Sequence, residues 1–458
     1  MGRFTGSLVG VVASCLLAGC GSTGPAPTPI ASSTPVASRV LLSATAAPSP
    51  SVPSAGPTPV PTLARPLAGK GSVVILDSDV LAVIDPAGHI SRLASAGGGT
   101  FLLPAWSPDG SRIAAPLIGA GEKDVLVFDV AKASSSGSVE PTVIFRSPTI
   151  GPFYLSWLPG GREVSFLADE GGSLSLRVAP ADGSAPLDGT GPGATIRTGN
   201  PFYFDWIAQD RLLAHVGTGV DAFLGEIDRG GKAVGAAIKA PGDFRSAVIS
   251  GDRRFISYVR VAADRSSSVI VSDRDGSHEH GMPVFGPAAM AFDPSGDRLA
   301  SIGAVAVPET DFGIPLGPLR LMEPASGAVR TLLDGDVASF WWSPDGRTIA
   351  ALRVQAVGGA ASPGASAGPS RTEVRLLFVD PATGEVDAQR VVRPGQLFID
   401  QLLAYFDQYA LSHRLWAPDS SSILIPVVDA DGVTRIAAIP RNGDPAVMID
   451  GAIGFWSP

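Results

Sequence analysis

The chain has 458 residues, with 34 Lys or Arg against 43 Asp or Glu, and a net charge of −9 at neutral pH. Every acidic residue lies after residue 70, so the later part of the chain is more acidic than this average. Such a surface excludes nucleic acid and broad contact with anionic lipid as natural partners. With two cysteines, the chain cannot be a disulfide-rich scaffold either.

Residues 1–19 have the build of a secretory signal peptide. Arg3 supplies the positive start, an apolar run follows, and Leu17-Ala18-Gly19 precedes Cys20. Small residues directly before a cysteine resemble the bacterial lipobox, in which that cysteine receives the lipid anchor. An ordinary signal peptide with an incidental cysteine is the alternative. The other cysteine, Cys15, lies inside the segment that would be removed. We therefore expect an extracytoplasmic lipoprotein, tethered to the bacterial cell membrane, or to the outer membrane of a Gram-negative envelope, through Cys20 alone.

Residues 20–68 are rich in Pro, Ser, Thr and Ala and contain no acidic side chain. A segment of this composition cannot bury enough apolar surface to offset the entropy of ordering it. We predict a disordered stalk that holds the folded region, residues 69–458, away from the membrane.

A turn motif recurs through residues 69–458. Its best copies read WSPDGSRIA from Trp106 and WSPDGRTIA from Trp342. Weaker copies begin at Trp157, Trp206, Val248, Phe292, Trp416 and, cut short, at Trp456. The copies start about 40 to 50 residues apart, with a longer interval before Trp416. The residues assigned to the turn are Trp106, Asp109, Gly110, Trp342, Asp345, Gly346, Trp416, Asp419 and Trp456.

Each copy predicts two hairpins. The motif itself places an aromatic strand end, a Pro-Asp-Gly turn and an apolar strand in order. A second hairpin signal follows, as in VLAVIDPAG ending at Gly88 and LLFVDPATG ending at Gly384. Two hairpins per repeat make a four-stranded antiparallel blade, so we predict an all-β fold with a single β-propeller. Eight blades are expected, with seven as the alternative because the copies at Trp206 and Val248 are weak.

The chain ends complement each other. The first signal after the stalk, near Asp85, is a second hairpin, whereas the last signal, at Trp456, is a first strand. Pairing the carboxy-terminal strand with the amino-terminal blade would complete one blade and close the ring, leaving no exposed strand edge.

The WSPDG-x-x-I-A turn, followed by an apolar-Asp-x-x-x-Gly hairpin, resembles the TolB-type, WD40-like β-propeller repeat of bacterial periplasmic and surface proteins. The resemblance covers residues 70–458. It implies protein binding or scaffolding at the cell envelope, with contacts at one face or in the funnel of the disc. Similar repeats form the non-catalytic propeller of prolyl-oligopeptidase-like peptidases.

Other motifs offer less. Gly364-Ala365-Ser366-Ala367-Gly368 matches the serine nucleophile elbow, but it lies in a Gly/Ala/Ser-rich stretch, and we expect 358–372 to be a flexible insertion. His278-Glu279-His280 lacks metal-ligand spacing, and the Asp-x-Asp-Gly turns at Asp273 and Asp429 lack the later ligands of a calcium loop. Gly189-Thr190-Gly191-Pro192-Gly193 has no strand–helix context for a phosphate site. We predict no metal, no cofactor and no catalytic residue.

One segment breaks the repeat. Residues 399–413 have helical spacing and hold two of the five tyrosines and one of the five histidines. A helical insertion at about 399–411 would cross one face of the disc. It is either a structural cap or a binding site, and in the second case Tyr405, Tyr409 and His413 are the expected contacts.

Two functions follow. The first is a binding or scaffold module, monomeric, that recognises an envelope protein or a small ligand. The alternative is an enzyme of hydrolase or lyase type that uses the funnel. An enzyme would need several of Asp205, His215, Asp293, Asp400 and His413 within about 10 Å of each other.

Overall fold

The computed structural model describes Leu63 and residues 65–67, 69–136, 139–191, 193–219, 222–238, 246–262, 264, 266–306, 314–357 and 371–458. The chain divides into residues 1–60 and 61–458, and all described residues belong to the second unit. The expected signal peptide, Cys20, nearly all of the stalk, and residues 358–370 with their Gly-x-Ser-x-Gly motif therefore lie outside the described residues.

The described chain is built from antiparallel sheets, three of them four-stranded. The first contains β1 (Val73–Asp77), β2 (Val80–Ile84), β3 (Ile90–Ser95) and the last strand, β30 (Ile453–Trp456). The second contains β4 (Thr100–Phe101), β5 (Ala105–Trp106), β6 (Arg112–Ile118), β7 (Lys123–Asp129) and β8 (Thr142–Ser147), with helix α1 (Val130–Ser136) after β7. The third contains β9 (Gly151–Trp157), β10 (Glu163–Asp169), β11 (Leu174–Pro180) and β12 (Thr195–Thr198). The fourth contains β13 (Phe202–Ala208), β14 (Arg211–Val216), β15 (Phe223–Asp228) and β16 (Ala233–Ile238).

The next ten strands are linked by two long strands that change partner halfway. They are β17 (Val248–Ile249), β18 (Phe255–Val261), β19 (Ser267–Asp273), β20 (His280–Phe292), β21 (Leu299–Ala304), β22 (Gly317–Met322), β23 (Val329–Trp342), β24 (Ile349–Val357), β25 (Arg371–Val379) and β26 (Val386–Val392). Strand β20 pairs with β19 through its first half and with β21 through its second. Strand β23 divides in the same way between β22 and β24. The end of the predicted flexible insertion, Arg371 and Thr372, therefore belongs to β25.

The last sheet contains β27 (Ser422–Val428), β28 (Thr434–Pro440) and β29 (Val447–Asp450). Trp416 adds a bridge to Ile423 at its inner edge. Between β26 and this sheet the chain forms three successive helical turns: a π-helix over Phe398–Leu402, a 3-10 helix over Leu403–Tyr405, and α2 over Phe406–Tyr409. We call residues 398–413 the helical segment.

Strand β30 pairs with β1, the first strand of the described chain. The register joins Val73 to Trp456 and Leu76 to Ile453, and the Ser457 N–H donates to the Ser72 carbonyl at 2.8 Å. Trp456 is fully buried. The carboxy-terminal strand is thus part of the first sheet, next to β1.

The repeat turn is held by its serine and aspartate. The Ser107 hydroxyl donates to the Asp109 carboxylate at 2.6 Å and accepts the Arg112 N–H at 2.9 Å. The Ser107 hydrogen bond lowers the pKa of Asp109 to about 2. Gly110 has a φ of 69°, a left-handed conformation that favours glycine. Ser343, Asp345 and Thr348 repeat these bonds in the second strong copy.

The repeat tryptophans connect successive sheets. Trp157 Nε1 donates to the carbonyl of Ala105 at 3.0 Å. Ala105 directly precedes Trp106, the tryptophan of the preceding copy. The same offset recurs in three further copies: Trp106 to Phe455 (3.0 Å), Trp342 to Ala291 (3.1 Å) and Trp416 to Trp341 (3.1 Å). Trp206 Nε1 donates instead to the Ser165 hydroxyl at 2.8 Å, which donates to the Ser156 carbonyl at 2.8 Å. In four copies the tryptophan therefore donates directly to the first strand of the preceding copy, and at Trp206 it does so through the Ser165 hydroxyl.

Because the strands are antiparallel, the connections emerge at two opposite faces. The turn face carries the Ser-Pro-Asp-Gly turns, and here the Leu63 N–H donates to the carbonyl of Gly88, between β2 and β3, at 2.9 Å. The helix face carries the connections that lead into each first strand, including the one that contains the helical segment. First strands of several sheets meet beside the helical segment, and we call the line along which they meet the axis.

Candidate functional site at the axis of the sheets

The helical segment docks against the first strands near this axis. Phe406 packs against Phe340 and Trp341 of β23, with ring centroids 5.3 and 5.7 Å apart. On the other side, the Asp407 carboxylate accepts a hydrogen bond from the Ser246 hydroxyl at 2.6 Å, just before β17. Phe406 and Asp407 are 1% and 2% exposed. The segment thus contacts both β23 and the residue that leads into β17.

Tyr154 of β9 forms the most specific of these contacts. Its hydroxyl donates to the Gln408 carbonyl at 2.9 Å and accepts from Gln408 Nε2 at 2.6 Å. Gln408 Nε2 also lies 3.0 Å from the carbonyl of Phe204 in β13. A single glutamine therefore joins the segment to the first strands of two neighbouring sheets.

Tyr154 reaches this position through a β-bulge. Leu155 and Phe153 lie opposite Phe166 and Leu167, which leaves Tyr154 as the extra residue, with a φ of 37°. Bulky side chains rarely adopt a positive φ, and bulges redirect side chains at functional positions. Burial raises the pKa of the Tyr154 hydroxyl, so it stays a neutral donor. No pattern in the sequence GPFYLSW signals this bulge.

The predicted contact residues occupy different environments. His413 is 3% exposed and packs against Tyr154, Tyr409 and Phe455, with its ring 4.7 Å from that of Phe455. Burial lowers the pKa of His413 to about 4, so the imidazole is neutral. Tyr409 packs 5.2 Å from Tyr154, and Tyr405 is only partly buried. His413 and Tyr409 thus attach the segment to the sheets, and Tyr405, like Tyr409, is partly buried.

The titratable candidates named for an enzyme have distinct surroundings. Asp293, in the turn after β20, pairs with Arg298 at 2.9 Å, and the Asp400 carboxylate accepts from Gln396 at 2.7 Å. His215 is buried in β14, the second strand of its sheet. Asp205 lies in β13, where burial raises its pKa to about 7 although the Ile249 N–H donates to it. Asp205 and His413 both lie near Tyr154, Asp205 close enough to raise the tyrosine pKa.

The metal-like motifs have local partners. His278 pairs with Asp273 at 2.7 Å, while Glu279 accepts hydrogen bonds from Tyr258 and Arg260. The Asp429 carboxylate accepts the Asp431 and Val433 N–H groups at 2.9 Å within its own turn. In the part of the chain that the structure describes, no three acidic, histidine or cysteine side chains form a metal-binding group. Nor does any described helix have the length and apolarity to cross a membrane.

Beside the helical segment lies a cavity of about 480 Å³, which we call the axial cavity. Its walls come from β17, β20, β23 and the strand at Trp416, and Ala410 and Leu411 border it from the helical segment. It reaches the repeat turns at Pro294 and Pro344, and therefore extends toward the turn face. The helical segment lies between this cavity and the helix face.

No protein-family model and no curated protein matches the chain. Solved structures do resemble it. The dihydro-heme d1 dehydrogenase NirN, in complex with DHE, has a TM-score of 0.52 at 13% identity, covering 88% of this chain and 77% of its own. A eukaryotic initiation factor has a TM-score of 0.51 at 10% identity, covering 85% and 99%. TolB from Acinetobacter baumannii has a TM-score of 0.36 at 16% identity, covering 60% and 65%.

The likenesses to the dehydrogenase and the initiation factor, together with the repeated four-stranded antiparallel sheets, assign the chain to the β-propeller fold. The expectation of an all-β propeller with WD40-like repeats is confirmed at this level. At such low identities the likenesses establish the fold alone.

Proposed function

We propose that this protein is an extracytoplasmic β-propeller, tethered through a lipid on Cys20, that acts as a binding or scaffold module for an envelope protein. In this proposal the sheets form eight blades, and β30 closes the ring by pairing with β1. The observation that carries the proposal is the docking of the helical segment. It fills the helix-face side of the axis, where a funnel enzyme needs access for its substrate, and it turns that face into a broad surface.

The helix face also has the apolar side chains that a partner would need. Phe285, Val305, Ile314, Val391, Ile399 and Val433 lie in or beside connections on this face and are 37–57% exposed. They come from neighbouring sheets and from the helical segment. A cluster of exposed apolar residues on one face favours protein association over a role without partners. Tyr405 would add an aromatic contact of the kind that interfaces favour.

Two matched valines provide the test. Val433 is 48% exposed at the helix face, and Val329 is 44% exposed at the start of β23, near the turn face. We expect Val433→Glu, and Val433→Glu with Ile399→Glu, to lose the partners that the wild type retains in a pull-down from its own envelope extract. Val329→Glu should retain them. Equal retention by all variants would place recognition away from the helix face.

The tether is tested separately. Cys20→Ser removes the thiol that would carry the lipid, so the protein should leave the membrane fraction or remain unprocessed. Wild-type fractionation and wild-type mobility of this variant would contradict the lipid anchor.

A funnel enzyme of hydrolase or lyase type is the second candidate, and Asp205 is the observation that favours it. A carboxyl group with a pKa near 7, close to the axis, has the properties of a general base at neutral pH. Wild type and Asp205→Asn should be compared on aryl esters, lactones and glycosides. Turnover by the wild type that Asp205→Asn loses would favour the enzyme, and no turnover by either would count against it.

A further inference from the structure

The axial cavity shares its aromatic wall with the contact between the helical segment and β23, and Leu411 and Arg414 add groups that this contact does not use. Phe340, Trp341, Trp416 and Phe406 contribute to its lining. Leu411 also borders it and is 39% exposed, although it follows the well-buried α2. A large exposed leucine at the edge of an aromatic cavity provides apolar surface that a ligand can cover.

The acidic groups beside the cavity are already engaged. Asp293 is nearly inaccessible and pairs with Arg298 at 2.9 Å, with a further hydrogen bond from Ser295 at 2.8 Å. Asp407 accepts the Ser246 hydroxyl at 2.6 Å. Neither carboxylate is therefore available to balance another charge within the cavity.

Arg414 is the remaining charge in the lining, and its side chain is exposed. It takes part in none of the ion pairs found among the described residues. Its backbone is fixed, since Arg414 forms a β-bridge with Trp456 and its carbonyl accepts the Trp456 N–H at 2.8 Å. A guanidinium group on a fixed backbone, next to aromatic walls, suits two-pronged binding of a carboxylate.

We propose that the axial cavity binds a small organic carboxylate, whose charged group pairs with Arg414 and whose apolar or aromatic body covers Leu411 and the aromatic wall. The volume of about 480 Å³ lies within the usual range of small-molecule sites. The cavity reaches the repeat turns at Pro294 and Pro344, so a ligand can extend toward the turn face. The proposal rests on Arg414 and the cavity lining and does not depend on the protein-binding function proposed for the helix face.

The charge requirement can be tested with a matched pair of probes, 1-naphthaleneacetate and its neutral amide. Both would be titrated by calorimetry into the full chain carrying Cys20→Ser. We expect the acid to bind at least tenfold more tightly than the amide, because a hydrogen-bonded charge pair contributes about ten- to hundredfold in affinity.

Variants assign the effect to the cavity. Arg414→Gln should weaken binding of the acid by about ten- to hundredfold and bring acid and amide to similar affinities. Arg92→Gln is the matched control, because Arg92 is an exposed arginine of the outer strand β3, and it should bind like the wild type. Leu411→Glu should weaken acid binding by placing a like charge in the cavity, with Arg414 left intact.

Three results would overturn the proposal: no binding of the acid by the wild type at millimolar concentration, equal affinity for acid and amide, or undiminished acid binding by Arg414→Gln. If Arg414→Gln does not fold, Leu411→Glu decides the question. Because these titrations need no partner protein, a failed pull-down leaves their outcome intact.

Discussion

Replacing the repeat tryptophans by phenylalanine should separate their hydrogen bonds from their packing. Trp106, Trp157 and Trp416 are 3–7% exposed, and each donates to a first-strand carbonyl at 3.0–3.1 Å. Trp456 is also fully buried, but its Nε1 has no hydrogen-bond partner among the described residues. The change to phenylalanine removes similar apolar volume in all four, whereas only the first three lose a hydrogen bond.

The expected difference follows from the bond that is lost. A hydrogen bond contributes about 1 kcal/mol net, and a buried acceptor left without a donor costs about 1–3 kcal/mol. Trp416→Phe should therefore lower the free energy of unfolding by about 1–3 kcal/mol more than Trp456→Phe. Urea unfolding followed by far-ultraviolet circular dichroism measures this, since the signal does not depend on tryptophan fluorescence. The comparison is valid if the m-value is the same in all variants.

Trp206 provides an internal control, because its bond runs through the Ser165 hydroxyl to the carbonyl of Ser156. Trp206→Phe and Ser165→Ala should be strongly non-additive in a double-mutant cycle. If Trp456→Phe costs as much as Trp416→Phe, or if the Trp206 and Ser165 changes are additive, the tryptophans act through packing alone.

Three further predictions concern the ring, its axis and its insertion. Deleting Gly454–Pro458 removes two aromatic side chains that are at most 1% exposed, each worth about 3–5 kcal/mol of stability. The cooperative thermal transition should therefore be lost, or its melting temperature should fall strongly. An unchanged melting temperature would contradict the role of β30. Burial raises the pKa of Asp205 from 3.8 to about 7, so between these pH values the folded protein keeps a proton on Asp205 that the unfolded chain releases. The wild type should therefore lose stability relative to Asp205→Asn as the pH rises from about 4 to about 7. The same difference in urea midpoint at both pH values would refute this. Replacing residues 358–370 by Asn-Gly, between the paired Val357 and Arg371, should change the urea midpoint little because closure entropy varies slowly with loop length; a large loss would show that these residues contribute contacts.

The sequence predicted the repeating parts of the fold because their chemistry is local. The Ser107 and Asp109 bonds in the first repeat turn join residues at most five positions apart, so the motif contains all of their partners. The helical turns near residues 399–411 also follow from a local pattern. The acceptors of the tryptophan N–H groups could not be read in this way, because Trp106 bonds to Phe455, 349 positions away.

The candidate site was the least predictable part for the same reason. His413 and Tyr409 were expected at a surface because they interrupt the repeat with polar aromatic groups. Whether such groups face solvent or the axis depends on where the first strands converge, and the bulge at Tyr154 that receives them has no sequence signal. Asp205 did leave one, as a single carboxyl in the apolar strand FYFDWIA.

The position of β1 determines how the domain would respond to mechanical force. The chain enters β1 from the turn face, and β1 lies between β2 and β30, with pairing on both edges. A pull on the preceding segment, directed away from the turn face, acts along the axis of β1. The hydrogen bonds on both sides are then loaded together in shear. In a strand that is peeled from an edge, by contrast, the hydrogen bonds open one after another. Forced unfolding is governed by the rate of crossing such a barrier, so a domain held by this end would withstand tension far better than one pulled from an outer strand.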